Sequence, residues 1–422
     1  MTQTVPLYDN ALKEFYEGAI RETVNNSVVA YKFLEETSRP WAGRHVTFPI
    51  HTGKNAGVGA RAENTALPTA GRQSHLIARI TAAYNYGRIA LTGPVMKAGK
   101  HAFADAMEIE MDGVTKDLTS DLGRQTWGVG DGRLAQVGAA AASATAITVF
   151  NKYQTGGCQQ PGARYLFQGQ SIDGGTVAAP TTDFSSQTIT SINLSQNPGT
   201  TVDTLSVATS ALNGSQCESF LFNRGAGGVG VEMMGIQGLV DVYTEANIWG
   251  SNAFAGSAIQ NVNRAANNEY DSIILGNSGT ARIIDGNLMQ QAFDQISIAT
   301  NKDPDFIWGH HDSIRAFLES VAGDRRYSTP EFNIGGTSKL SYEGVPLIKD
   351  RQAPYCTLLV GLREGLKMYT LSDLSFSDED GSILKYVNGF DTYEAFLKCY
   401  KNIGLDDDPK KLLFIRDIQT QF

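Results

Sequence analysis

The 422-residue chain carries 35 Lys plus Arg against 44 Asp plus Glu, a net charge of -9, so it offers no general basic surface for gripping nucleic acid. Its length allows two or three domains, each with a sizeable core. No apolar run approaches the roughly 18 residues of a membrane span, and the start MTQTVPLYDN lacks the basic and apolar regions of a secretory signal.

Leu12, Tyr16, Ile20, Val24, Val28 and Tyr31 recur at helical spacing and predict one amphipathic helix over residues 9–36, ended by Pro40, which disfavours helical geometry at Arg39. RHVTFPI then alternates as a strand does, and a second extended run follows in HLIARITAAYNYGRIALTG. Between them lies GKNAGVGARAENTALPTAGRQ, residues 53–73. A phosphate loop needs GxxxxGK and then Ser or Thr, but here Asn55 follows Gly53-Lys54 and Phe48 stands where the first glycine belongs. Gly57, Gly59 and Ala62 fit the looser dinucleotide pattern, yet Asn64 and Pro68 leave no helix to receive a pyrophosphate. The segment is therefore the tip of a two-stranded excursion. Such a ribbon is marginal alone in water, and a structureless loop of about twenty residues is usually functional or disordered.

Beyond Thr92-Gly93-Pro94, Phe103, Met107, Met111, Val114, Leu118 and Leu122 step by three and four along one face, predicting a helix over residues 100–125. Composition then shifts. Between Leu134 and Asn223 only Lys152, Arg164, Asp173, Asp183, Asp203 and Glu218 are charged, and AITVF, RYLFQ, QTITSINL and DTLSVAT read as short strands of an inserted barrel or sandwich. At its end Gly225, Gly227 and Gly230 match GxGxxG, with Glu245 at the distance of a ribose-binding acid. Gly235 and Gly238 interrupt the following segment and no βαβ unit precedes it, so a join between insert and host is the simpler reading.

Ile284, Leu288, Ala292 and Ile296 predict a helix within residues 278–300; DFIWG reads as a buried strand, SIRAFLESVAG as another helix, and residues 342–405 as several antiparallel strands with a sharp turn at Asp380-Gly381. The fold class is α+β.

Chemistry is sparse. His310-His311 lacks metal-ligand spacing, and Asp312-Ser313 reads as a helix cap. Asp378-Glu379-Asp380 and Asp406-Asp407-Asp408 lack the alternation of a calcium loop and read as solvated turns. There is no GxSxG elbow and no cysteine signature. Cys158, Cys217, Cys356 and Cys399, with no CxxC pair, read as buried thiols in a reducing compartment. No catalytic, cofactor-binding or metal residue is assigned.

The order of parts resembles the major capsid protein of tailed double-stranded-DNA bacteriophages, the Hong Kong 97-type fold. The resemblance rests on the arm, the glycine-rich loop between VTFPI and IARITAAYNYGRIALTG, the helix FADAMEIEMDGVTKDL, DFIWGHHDSIRAFLESV, and YEGVPLIKDRQAPYCTLLVGLREGLKMY. It implies an N-terminal arm (1–43), an extended loop (44–95), a peripheral-domain spine helix (96–133), an inserted β-rich domain (134–224), an axial domain (225–349) and closing strands (350–422). In that arrangement the extended loop lies across a neighbouring subunit, with Lys54, Gly57, Gly59, Arg61, Glu63 and Arg72 at the interface and Gly93 and Pro94 as a hinge. It further implies pentamers and hexamers in an icosahedral virion shell, assembled in the bacterial cytoplasm. A separate scaffolding protein, a portal, a possible decoration protein and weak contact with packaged DNA complete the expected partners. Lys54 is a candidate crosslink donor without an identifiable acceptor. The competing readings are a nucleotide-dependent oxidoreductase using Gly225, Gly227 and Gly230, and a β-rich tail or adhesin protein.

Overall fold

A computed structural model describes residues 28–53, 55, 57–94, 100–138, 145–153, 161–195, 200, 202–208, 219–228, 230–243, 258–321, 341–378, 383–406 and 408–420, with backbone alone for residues 32 and 100–109. The chain is α+β, rich in strands and poor in helices.

The expected first helix lies mostly outside the described residues, and its described part differs from expectation. Val28 is extended, the helix runs only over Val29–Phe33, and Leu34 is extended again. Glu35–Glu36 instead form a short strand, parallel to Lys367 and Met368. The Glu35–Lys367 ion pair and the bond from Thr37 N–H to the Met368 carbonyl hold it there. These partners lie more than 300 residues away in sequence, so local periodicity carried no sign of them.

That strand borders a sheet built from Leu366–Phe376, Thr392–Leu405, Lys385–Tyr386 and Ala83–Thr92. Along Ala83–Thr92 the buried Ala83, Asn85, Ile89 and Leu91 alternate with exposed Tyr84, Tyr86 and Arg88, as a sheet with one covered face requires. The cover is the helix Lys100–Trp127. Met111, Leu118 and Leu122 of the expected stripe are buried against Ile89, Leu91, Leu397 and Cys399, while the side chains of Phe103 and Met107 lie outside the described residues. Gly87 permits this approach, because a Cβ there would stand 2.7 Å from Val114 Cγ1. Thr115 and Thr119 return their hydroxyls to carbonyls one turn back, at 2.7 and 2.6 Å, so the helix buries polar side chains without orphaning them.

Arg133–Gln136, Phe220–Asn223, Ser171–Thr176, Ala179–Asn193, Val202–Val207 and Ala146–Phe150 follow one another as an antiparallel six-stranded path. A bridge from Val137 to Val149 ties its two ends, closing the strands around Leu134, Ile147, Ile172, Leu205 and Leu221. RYLFQ, expected as a strand, forms turns at residues 164–168 instead; its Arg164 and Tyr165 reach out of the barrel to the backbone at Ala353 and Gln352.

The last sheet is mixed: Ile273–Leu275, Leu412–Ile415, Leu358–Gly361, Phe306–Gly309, Val345–Lys349 and Ser341–Tyr342. Within the stretch expected to be antiparallel, Ser341–Tyr342 with Val345–Lys349, and Leu366–Phe376 and Lys385–Tyr386 with Thr392–Leu405, pair that way; the parallel pairs join it to earlier or later strands, Phe306–Gly309 with Val345–Lys349 and, beyond it, Ile273–Leu275 with Leu412–Ile415. Gly286–Thr300 packs its buried Leu288, Ala292 and Ile296 here. Asp285 caps its start by accepting the Leu288 N–H at 2.8 Å, and Asn301 ends it in the left-handed region. His311–Ser320 is capped by His310, not by Asp312: the His310 ring accepts the Asp312 N–H at 3.2 Å. The turn expected at Asp380-Gly381 lies outside the described residues.

Cysteines depart from the all-thiol reading. Cys399 is free and buried, with burial pushing its thiol up to about 11. Cys356 is disulfide-bonded, and Cys158 and Cys217 lie outside the described residues. Sequence separation cannot report which cysteines meet in space.

Leu122 is fully buried beneath the sheet. Leu122→Ala should cost about 3 kcal/mol, because the cavity cannot collapse against a helix held along its length. Urea unfolding monitored by circular dichroism checks this as a lower midpoint at unchanged slope.

Candidate functional site

His45–Gly53 and Ser74–Thr81 pair from His45 opposite Thr81 to Gly53 opposite Ser74, forming the expected ribbon. Its base belongs to the core: Val46, Phe48, Ile50, Ala78 and Ile80 are buried on one face, and the Arg79 N–H donates to the Gln260 carbonyl at 2.8 Å. Arg39 stands 4.5 Å over the Phe48 ring while pairing with Asp406 at 2.8 Å, and Asp406 also accepts the Tyr369 hydroxyl at 3.0 Å.

Support stops there. From Val58 to Gln73 almost every residue is exposed, including Arg61, Glu63 and Arg72, and no strand or helix forms. Val58 is 83% exposed, Leu67 86% and Ile77 63%. Val58 and Leu67 lie on the loop and Ile77 on the outer face of Ser74–Thr81. Of the residues singled out by sequence, Gly57 has a local structural reason. Its N–H donates to Asn55 Oδ1 at 2.8 Å, and a Cβ would stand 2.9 Å from both Gly71 N and the Thr69 carbonyl, so it lets the two limbs of the loop close together. Gly59 faces open space, and Lys54 lies outside the described residues. Val58 and Leu67 were missed because a reading for charge and glycine passes over isolated aliphatics.

At the foot of the return strand, Gly93 is buried. Its N–H donates to the Asp391 carbonyl at 2.8 Å, and a Cβ would collide with the Asp391 carboxylate. Neighbouring Pro94 is exposed.

The glycines of GxGxxG occupy a connection where the chain leaves and re-enters the barrel. Gly225 and Gly230 take left-handed φ values of 70° and 75°. Gly228 and Gly230 donate to the Asp131 and Gly130 carbonyls, both at 3.0 Å, so the two passes run bonded side by side. The helix that follows is the four-residue Ile236–Leu239, too short for a pyrophosphate site, and Glu245 lies outside the described residues. Arg124 of the long helix reaches across the join to Glu232 at 2.5 Å and to Asp121 at 2.8 Å. Burial pushes the Glu232 carboxyl up, while the paired carboxylates keep Arg124 charged.

The barrel also rests on the mixed sheet. Lys152 pairs with Asp312 at 3.3 Å, and both Lys152 and Arg164 lie over the Tyr355 ring, at 5.3 and 5.1 Å. His310 meets Tyr355 edge-on at 4.6 Å. Among the described residues no group of three His, Cys, Asp or Glu side chains could hold a metal ion. Asp406 and Asp408 have local tasks, the latter capping Pro409–Lys411; Asp378 is described, whereas Glu379, Asp380 and Asp407 lie outside the described residues. Among the described residues no helix is long and apolar enough to cross a membrane.

No protein-family model and no curated protein matches the sequence. Solved structures do match. The capsid asymmetric unit of cyanophage A-1(L) aligns over 94% of this chain and 93% of its own, with a TM-score of 0.53 at 11% sequence identity. The two chains share one fold. The capsid of Myoviridae phage XM1 aligns over 92% of this chain and 91% of its own (TM-score 0.46, 8% identity). The holo-SrpI encapsulin complex from Synechococcus elongatus covers 100% and 93% (TM-score 0.41, 11% identity).

The barrel seam is expected to respond to acid. Burial, reinforced by Arg164, lowers the His310 pKa from 6.5 to about 4, against the opposing pull of Asp312, with His311 and Lys152 adding to the lowering. Its unprotonated Nδ1 accepts the Asp312 N–H, and protonation removes that acceptor. The unfolded chain takes up this proton near pH 6.5 and the native one only near pH 4, so stability is lost as pH falls between them. Relative to His310→Gln, the wild type should lose up to about 2 kcal/mol across that window, allowing for solvent screening. Denaturant melts of both proteins at stepped pH measure the difference; parallel curves would count against it.

Proposed function

We propose that this protein is the major capsid protein of a tailed bacteriophage, self-assembling into the icosahedral head shell around its double-stranded DNA. The observation that carries this reading is the shared fold with the cyanophage A-1(L) capsid chain over nearly the full length of both. The exposed loop agrees with it, since Val58 and Leu67 stand in water on a segment without strand or helix.

In this reading residues 1–43 are an N-terminal arm, 44–95 the extended loop, and 96–133 the spine of a peripheral domain. Residues 134–224 are an inserted β-rich domain, 225–349 an axial domain and 350–422 closing strands shared by both. The loop lies over a neighbouring subunit, with Lys54, Gly57, Gly59, Arg61, Glu63 and Arg72 at the contact. Its charged side chains meet opposite charges there, giving register, while burial of Val58 and Leu67 gives affinity. Gly93 and Pro94 are the pivot about which the loop is carried. The partners are further copies in pentamers and hexamers, a separate scaffolding protein, a portal and a decoration protein. The role is structural, without catalysis, and is exercised in the virion after assembly in the host cytoplasm. The net charge of -9 suits a shell that touches packaged DNA weakly and reversibly.

Negative-stain electron microscopy of the protein, alone and with a candidate scaffolding protein, tests this. Closed shells or rings of five and six subunits are expected; small monodisperse oligomers under every condition would overturn it. Val58→Asp combined with Leu67→Asp should abolish shells while changing the stability of the unassembled chain by less than about 0.5 kcal/mol, as both side chains already lie in water.

A further inference from the structure

On the outer face of the ribbon, His51 and His75 stand directly opposite each other on the paired strands, and both are exposed. Their ring centroids lie 5.3 Å apart, with the ring planes at 63°. Neither ring makes a hydrogen bond or ion pair among the described residues. His45, at the inner end of the same face, differs: Arg44 donates to its Nε2 at 3.3 Å, and its Nδ1 meets Thr81 Oγ1 at 3.0 Å. The His51–His75 pair also sits where the ribbon's own support ends. The register becomes irregular after it, and only Gly53 opposite Ser74 lies beyond.

Two imidazoles bound to one tetrahedral Zn²⁺ through bonds of about 2.0–2.1 Å have ring centres about 5.2 Å apart. The separation on the ribbon matches that value. Coordination also needs the in-plane lone pairs of both rings to converge on one point, which two parallel stacked rings cannot achieve and two crossed planes can. Imidazole is a favoured ligand for zinc, copper and nickel, and exposed side chains are free to make the rotations that aim a ring nitrogen. Two protein ligands leave the rest of the coordination shell to water. The site is thus a surface chelate, whose strength comes from the second ring being held in place once the first has bound.

We propose that His51 and His75 of one chain together bind a divalent transition-metal ion of the zinc class, clamping the two strands where the loop of residues 53–73 leaves them. The bridge joins residues on either side of the whole loop, so it limits the separation of the two limbs while the tip stays free. Gly57, which lets the limbs close together further out, works in the same direction. The site is built from a single chain and does not rest on the capsid reading.

Calorimetric titration of Zn²⁺ into the unassembled full-length protein, compared with His51→Asn, His75→Asn and the double variant, tests the site. Each single replacement should weaken the binding of one Zn²⁺ per chain by about tenfold or more, and the double variant should lose no more than either single one, because removing either arm breaks a chelate. No zinc binding by the wild type, titrations alike in wild type and variants, loss on one replacement but not the other, or zinc-dependent pairing of chains in sedimentation would overturn the proposal. As an independent check, saturating Zn²⁺ should slow amide hydrogen exchange in residues 50–53 and 74–76 of the wild type by about tenfold, leaving Phe306–Gly309 unchanged. Unchanged exchange in the ribbon, or equal slowing in His51→Asn, would also overturn it.

Discussion

The contact on which the arrangement of parts depends is the packing of Trp127 against Trp308. The rings meet edge-on at 4.7 Å, and the Trp127 indole N–H donates to Asp350 at 2.9 Å. Trp127 ends the long helix, Trp308 lies in the centre of the mixed sheet, and Asp350 follows directly on the strand Val345–Lys349. One knot thereby fixes the helix-covered sheet to the mixed sheet. Phe33 adds a third element, lying 4.8 Å from Phe306 and 5.1 Å from Trp308, and brings in the short helix Val29–Phe33. The chain after Asp350 then supplies the Gln352 and Ala353 carbonyls that receive Tyr165 and Arg164 of the barrel. Aromatic packing of this kind combines large burial with preferred ring geometry, which is why it sets an angle as well as an energy.

Against this frame the ribbon behaves as a lever with an anchored end and a free one. Its base shares a continuous apolar cluster with the two tryptophans, and Arg39 ties Phe48 to Asp406 and so to the end of Thr392–Leu405. Outward of Ile50 the ribbon has pairing but little core, and beyond Gly53 the loop lacks even the pairing. Any contact made at Val58 or Leu67 would therefore act on a segment whose other end is set in the core. Contacts made at the tip and the packing at the base are parts of one element, so the free end can adapt while the attachment stays fixed.

Much of the fold was legible because its determinants are local. The long helix announced itself through three- and four-residue steps, the ribbon through Val46, Phe48 and Ile50, and the helix Gly286–Thr300 through its apolar stripe. What failed depended on distant residues. Glu35–Glu36 form a strand because Lys367 and Met368 lie alongside, and RYLFQ turns outward to reach Gln352 and Ala353. His310 displaces Asp312 as cap through its ring orientation, which Tyr355 helps to fix. At the loop, glycine content marked the segment, but the reason for Gly57 lies in the backbone of Thr69 and Gly71, and the exposure of Val58 and Leu67 appears only once their surroundings are known.

The GxGxxG match shows how one residue pattern serves two unrelated physical needs. In a nucleotide site the glycines allow a tight turn and a close approach to pyrophosphate at a helix start. Here the same freedom is used where an inserted barrel rejoins its host. Left-handed turns at Gly225 and Gly230 bring the returning chain alongside the departing one, and their backbones bond across Gly130 and Asp131. Entry and exit placed side by side let a whole barrel be inserted without separating the elements it interrupts. The Arg124–Glu232 pair then adds a charged tie from the long helix to the bend that follows the barrel. Buried ion pairs contribute little net stability compared with apolar packing, but they penalise any alternative in which one partner is left alone. At a join between two separately packed cores, that penalty disfavours arrangements of barrel and helix that part Arg124 from Glu232.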